Sequence, residues 1–258
     1  MALLTADFFS ESLRVGTSMT VVLPQPTTEQ VGVAGGGVAS DFPLVYLLHG
    51  LSDDHTAWLR YTSVERYAEA RGLAVVMPAV HRSFYADERH GHAYWTFISE
   101  ELPAIVANFL RVSTDPARTF VAGLSMGGYG AMRLALTHPH RYAAAASLSG
   151  ALDIAGLLAE GDRFELLHRV YGGQVSPQED LLQLVGQATV IPPLWIGCGT
   201  EDELLAANDR FLAATRAAGC RVTQHYGPGE HEWGLWDAQL PEVFDFFLTT
   251  MADVGGSR

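Results

Sequence analysis

One pentapeptide, Gly123-Leu124-Ser125-Met126-Gly127, constrains the fold of this chain more than any other stretch. It follows an apolar run, Thr119-Phe120-Val121-Ala122, and precedes a stretch of helical character over 128–137. A serine with a glycine two residues away on each side suits a sharp strand-to-helix corner. The serine backbone is strained there, and side chains at the glycines would keep the helix from closing on the strand. The serine hydroxyl then stands free at the end of a sheet. Because a glycine-rich chain produces this pattern by chance as well, the strand before it and the helix after it carry the inference.

The rest of the chain supplies a sheet for that corner. Apolar runs at 43–48, 73–77, 142–148, 192–198 and 221–226 read as strands, the first of them continuous enough to be buried on both faces. Between them lie helical patterns at 63–71, 94–110 and 204–218, and a last one from 233 to about 251. Residues 7–24 alternate in places and predict two antiparallel strands with a tight turn at Gly16-Thr17. Residues 25–41, rich in Pro, Thr and Gly, predict an exposed loop, and 254–258 a frayed tail. Strand and helix alternate from residue 43 onward, which predicts one α/β domain over 1–258, with a mainly parallel central sheet and helices on both faces. Residues 154–188 interrupt the alternation and predict a small cap-like insertion at the active-site end.

Composition excludes several kinds of chemistry. The formal net charge of -13 argues against a nucleic-acid partner, which would need clustered cations. All 16 cationic side chains are arginine, so no lysine is present to form a Schiff base or cradle a nucleotide phosphate. Cys198 and Cys220 are expected about 15 Å apart at opposite ends of neighbouring strands, as two buried, unbridged thiols. Residues 79–93 carry His81, His90, His92, Asp87 and Glu88, but in no compact ligand spacing. They predict a polar rim, with no metal and no cofactor. No basic-then-apolar leader and no apolar run of about 20 residues is visible, so a cytoplasmic protein without a membrane partner is the expectation.

A serine hydroxyl needs a base within hydrogen-bond reach and an acid to orient that base. Of the histidines after Ser125, His138 and His140 end the helix far from it, His168 falls in the insertion and His225 within a strand. His231 alone lies on a glycine-bounded loop after the last strand. Asp202, which follows the penultimate strand, is favoured as the acid over its neighbour Glu201, and Asp153 reads as a turn or helix cap. A developing oxyanion needs two preorganised amides. Met126 at the helix start offers one, and Leu51, after the first central strand, the other. Trp58, Tyr94, Trp95 and Trp233 lie near these loops and are candidates for the substrate wall.

Taken together, His49-Gly50-Leu51-Ser52-Asp53, Gly123-Leu124-Ser125-Met126-Gly127-Gly128-Tyr129-Gly130-Ala131, Gly199-Thr200-Glu201-Asp202 and His231-Glu232-Trp233 resemble the esterase D family of α/β-hydrolases. That family includes S-formylglutathione hydrolases and short-chain tributyrin, acetyl and feruloyl esterases. The resemblance implies an α/β-hydrolase fold and a serine carboxylesterase acting on a small ester, with Ser125, Asp202 and His231 as triad. It also implies an oxyanion hole from the amides of Leu51 and Met126, and a homo-oligomer. The stretch Ser52-Asp53-Asp54-His55-Thr56-Ala57-Trp58 departs from the Thr-Cys-Thr continuation of the formylglutathione enzymes and brings the chain nearer the tributyrin type. The alternatives are a thioesterase of the S-formylglutathione type, an acyltransferase, or a non-catalytic binding protein on a hydrolase fold.

Overall fold

The structure, a computed structural model, describes residues 1–25, 27, 29, 31, 41–160 and 164–255. Most of the loop expected over 25–41, and 256–258 of the expected tail, lie outside the described residues.

Eight strands form one sheet in the order β1-β2-β4-β3-β5-β6-β7-β8. The first two, β1 (Ala2–Ser10) and β2 (Val15–Leu23), are antiparallel, and β2 is antiparallel to β4. From β3 (Leu44–Leu48) and β4 (Ala74–Pro78) through β5 (Thr119–Leu124), β6 (Ala144–Leu148), β7 (Leu194–Gly199) and β8 (Val222–Gly227), every pairing is parallel. Parallel neighbours need crossovers, and the helices provide them. They are α1 (Ala57–Tyr61), α2 (Val64–Arg71), α3 (Tyr94–Thr96), α4 (Leu102–Phe109), α5 (Met126–Thr137), α6 (Ile154–Glu160), α7 (Phe164–Tyr171), α8 (Leu181–Gln187), α9 (Leu205–Ala217) and α10 (Trp233–Gly255).

Side chains alternate across a strand, so each apolar run feeds two cores. Leu44, Tyr46 and Leu48 of β3 join Val121, Ala145 and Ile196 on one face, packed with residues of α4, α5, α7, α8 and α9. Val45 and Leu47 join Phe120, Ala146 and Trp195 on the other, packed with Trp58, Val64, Ala68 and the Trp236, Leu240, Phe244 and Phe247 stripe of α10. Burial on both faces explains why these strands read as unbroken apolar runs.

Three local expectations are corrected. The first hairpin turns at residues 11–14, with Arg14 at φ 57°, while Gly16 lies within β2 opposite Phe9. The Glu101 carboxylate fixes that turn, accepting from Ser10 Oγ (2.7 Å), Glu11 N (2.8 Å) and Ser12 N (3.0 Å). The helical run over 94–109 contains a π-helical turn, Phe97–Glu101, closed by Leu102 N donating to Phe97 O. Phe109, at the end of α4, is exposed and meets Phe8 edge to face. The last helix also runs on to Gly255, past the expected end.

Candidate active site

Strand β5 ends at Leu124 and α5 begins at Met126, so Ser125 alone makes the corner, with φ 53° and ψ -118°. A non-glycine residue in this conformation costs on the order of 1–3 kcal/mol and persists only where the surroundings hold it. Here Ser125 N donates to Leu148 O (2.9 Å), and Ser125 O accepts from Ala151 N (3.0 Å). The glycines are required by contact. A Cβ on Gly123 would strike the Gly127 backbone, and one on Gly127 would strike the carbonyl of Leu48.

His231 comes from the loop between β8 and α10. Its Nε2 lies 3.0 Å from Ser125 Oγ, and its Nδ1 lies 2.9 and 3.1 Å from the two carboxylate oxygens of Asp202. A carboxylate only accepts, so Nδ1–H donates to Asp202 and leaves Nε2 free to accept the serine proton. Asp202, just after β7, has a fully buried side chain. Burial pushes its carboxyl up, but hydrogen bonds from His231 and from Leu204 N outweigh it and hold the carboxyl below its ordinary range. Glu201 faces elsewhere: it accepts from Gly229 N (2.6 Å) and Thr200 Oγ1 (2.8 Å), tying down the loop that carries His231. Asp153 caps α6 by accepting from Gly156 N (2.8 Å) and binds Arg210 (2.7 Å), as a turn or cap residue should.

On the opposite wall, the loop after β3 is held from behind. His49 Nε2 accepts from Val80 N (3.1 Å), its Nδ1 donates to Gly50 O (2.7 Å), and Tyr85 Oη donates to His49 O (2.9 Å). Burial lowers the His49 pKa to about 4, so the ring is neutral and can make both bonds at once. Leu51 follows this anchored pair. Met126 N is one of the amides that a helix start leaves without an intrahelical acceptor, and the helix dipole there favours negative charge.

A cleft of about 360 Å³ joins these groups, lined by Gly50, Leu51, Ser52, Asp53, Leu124, Ser125, His231, Trp233 and Trp236. Of the four aromatic candidates only Trp233 reaches it. Trp58 is fully buried behind it, its indole N–H donating to Leu48 O (3.1 Å). Tyr94 is buried against His81 and His92, and Trp95 stacks on His138 with the Arg133 guanidinium 4.0 Å from its ring centroid. Trp236 was missed, although it lies three residues after Trp233, on the same side of a helix. It meets His231 edge to face at 4.9 Å. Phe84, Tyr85 and Ala86 are fully buried, so the middle of the 79–93 loop belongs to the core and not to a polar rim. Among the described residues, the insertion over 154–188 contributes none to the cleft lining. Cys198 is buried as expected, whereas Cys220 is only half-buried, and both are free thiols. Among the described residues no group of three or more His, Cys, Asp or Glu is arranged to hold a metal ion, and no helix is long and apolar enough to cross a membrane.

The fold, with a serine on a strained corner at the carboxyl end of the central strand, defines an α/β-hydrolase of the serine hydrolase class. Known proteins agree. The family described as "Putative esterase" matches residues 12–247, and the chain belongs to this Esterase family, as an esterase D-like serine carboxylesterase. An acetyl esterase of Caldicellulosiruptor saccharolyticus is 25% identical over 261 residues, which cover 95% of this chain and 98% of the relative. FphF, a fluorophosphonate-binding serine hydrolase of Staphylococcus aureus, has a similar structure, with a TM-score of 0.85 at 30% identity over 95% of this chain and 98% of that one. An S-formylglutathione hydrolase (FrmB) of Staphylococcus aureus follows, with a TM-score of 0.80 at 30% identity and the same coverage.

Proposed function

We propose that this esterase hydrolyses short-chain acyl esters through an acyl-enzyme intermediate, with Ser125 as nucleophile, His231 as base and Asp202 as the acid that orients it. The observation that carries this reading is the hydrogen-bonded chain from Ser125 Oγ through His231 to Asp202, at 3.0 and 2.9 Å. Ser125 Oγ attacks the ester carbonyl while its proton passes to His231 Nε2, and Asp202 stabilises the imidazolium that forms. The oxyanion is received by the amides of Leu51 and Met126, each such donor being worth about 3 kcal/mol in the transition state. His231 returns the proton to the leaving alcohol, and water then repeats the sequence on the acyl-serine. A cleft of about 360 Å³ walled by Leu51, Leu124, Trp233 and Trp236 suits a short acyl chain better than a long lipid.

Hydrolysis of p-nitrophenyl acetate and butyrate by wild type and S125A tests the reading. It fails if the two proteins act at equal rates, or if a fluorophosphonate probe labels S125A as it labels wild type. The likeness to an S-formylglutathione hydrolase favours a second reading, a thioesterase on that substrate. Comparing kcat/KM for S-formylglutathione and for a matched oxygen ester separates them, and product analysis with added alcohol detects acyl transfer. The proposal extends to a cytoplasmic location, and to a homo-oligomer, which the resemblance to related esterases implies. Cell fractionation and light scattering on a sizing column test those two points.

A further inference from the structure

Among the described residues, the cleft lining has one ionisable side chain besides His231, the Asp53 carboxylate, and no arginine. Asp53 stands on the wall that carries Leu51. Its Oδ2 and the Cβ of Ser125 lie 2.8 and 3.7 Å from the single point that a Cβ on Gly50 would occupy. The carboxylate and the side chain of Ser125 thus face the same point of the cleft. Opposite it stand the indoles of Trp233 and Trp236, crossed at 80° with centroids 5.3 Å apart. Tyr61 extends this aromatic surface, its ring centroid 4.9 Å from that of Trp233, and the Arg60 guanidinium lies over the Tyr61 ring, outside the cleft lining.

Electrostatics in such a cleft are one-sided. A carboxylate against apolar walls is screened less than a surface charge, and indole faces attract cations and not anions. Exposed Glu230 and Glu232 flank His231 and add to the same sign. Burial raises the Asp53 pKa, as does neighbouring Asp54, while the Gly50 amide and His231 oppose the rise.

We infer that Asp53 determines specificity by charge: the cleft accepts esters whose groups beside the scissile bond are neutral or cationic and turns away those carrying a carboxylate. This rests on the esterase reading above and sharpens it.

The test uses three para-substituted phenyl acetates, carrying a nitro, carboxylate or trimethylammonium group, each rate referred to that ester's uncatalysed hydrolysis, with wild type, D53N and D54N at pH 8. Asp54 is a control of equal charge, exposed and committed to Thr56 N and Oγ1 at 2.7 and 2.6 Å. Wild type should prefer the cationic over the anionic ester by about tenfold or more in kcat/KM, as expected for a charge pair at this range in a partly screened site. D53N should lower that preference at least about fivefold, chiefly through KM, while D54N leaves it within about twofold. Raising the salt from low to molar concentration should shrink the wild-type preference without any substitution. Active wild type that is blind to charge, or an equal shift in D53N and D54N, overturns the inference and leaves the esterase reading standing. Wild type inert on all three esters overturns both.

Discussion

Ser125, His231 and Asp202 stand on three separate strand ends, and their partnership is a matter of single atoms. Removing the hydroxyl in S125A should lower kcat/KM for p-nitrophenyl acetate by at least about 10³-fold with the fold intact, as a triad member acts only with its partners. Rates of wild type and variant at matched circular dichroism check it. The His49 ring makes a prediction about stability. Its folded pKa, about 4, lies below the ordinary 6.5, so between these values the unfolded chain binds a proton that the folded chain refuses. Its contribution is therefore intact above pH 6.5 and is lost as pH falls toward 4, by about 3 kcal/mol in all. Asp202 does not produce that slope, because its depressed carboxyl titrates below 3.8. Urea unfolding between pH 7 and 4.5 should show the loss, and H49Q should flatten it; parallel curves for the two proteins would refute the assignment. The juxtaposition of Ser125, His231 and Asp202 was legible in the sequence because chain order and strand ends define where each must stand. The aromatic wall was not, since a ring near a loop points into the cleft or into the core with equal ease. Trp58 lies in the core because its N–H finds a backbone carbonyl there, and Trp233 reaches the cleft because it opens a helix directly after the His231 loop.

At the scale of elements, the corner between β5 and α5 is set by how closely α5 approaches the backbone of β3. A Cβ on Gly127 would strike the Leu48 carbonyl, so G127A should force α5 from the sheet, costing about 1–3 kcal/mol or more and most of the activity. Gly186, within α8, meets nothing within 4 Å of an added Cβ. G186A should therefore stabilise by about 0.5–1 kcal/mol, because alanine loses less backbone entropy in a helix. Paired thermal melts check both, and the contrast fails if the two shifts share a sign. Strand and helix identities were readable at this scale because apolar runs of that length have few other uses. Boundaries set from a distance were not. The hairpin turn is placed by the Glu101 carboxylate, some 90 residues further along, and no local pattern at Gly16 carries that information. The π-helical turn at Phe97–Glu101 likewise breaks the period on which any helical reading depends.

For the molecule as a whole, one sheet is shared by two cores that contain different helices. Phe211 of α9 is fully buried on one face, and Phe247 of α10 on the other, stacked on Phe120 with centroids 4.7 Å apart. Each strand from β3 to β7 contributes to both cores through alternate side chains, so neither face can come apart without exposing the back of the other. Unfolding should then be a single cooperative step, the behaviour of one domain. F211A and F247A should each cost about 3–5 kcal/mol and move one common midpoint. The tryptophans make the test sharp: Trp58, Trp195, Trp233 and Trp236 belong to the α10 side, and Trp95 packs against the other. Fluorescence therefore reports mainly one core, while far-ultraviolet circular dichroism reports helices on both. If F211A shifts the dichroism midpoint and leaves the fluorescence midpoint where it was, the faces unfold independently and the single-unit reading is wrong. Coincident shifts in both variants mean that the sheet transmits a loss on either side to the strand ends where Ser125, Asp202 and His231 meet.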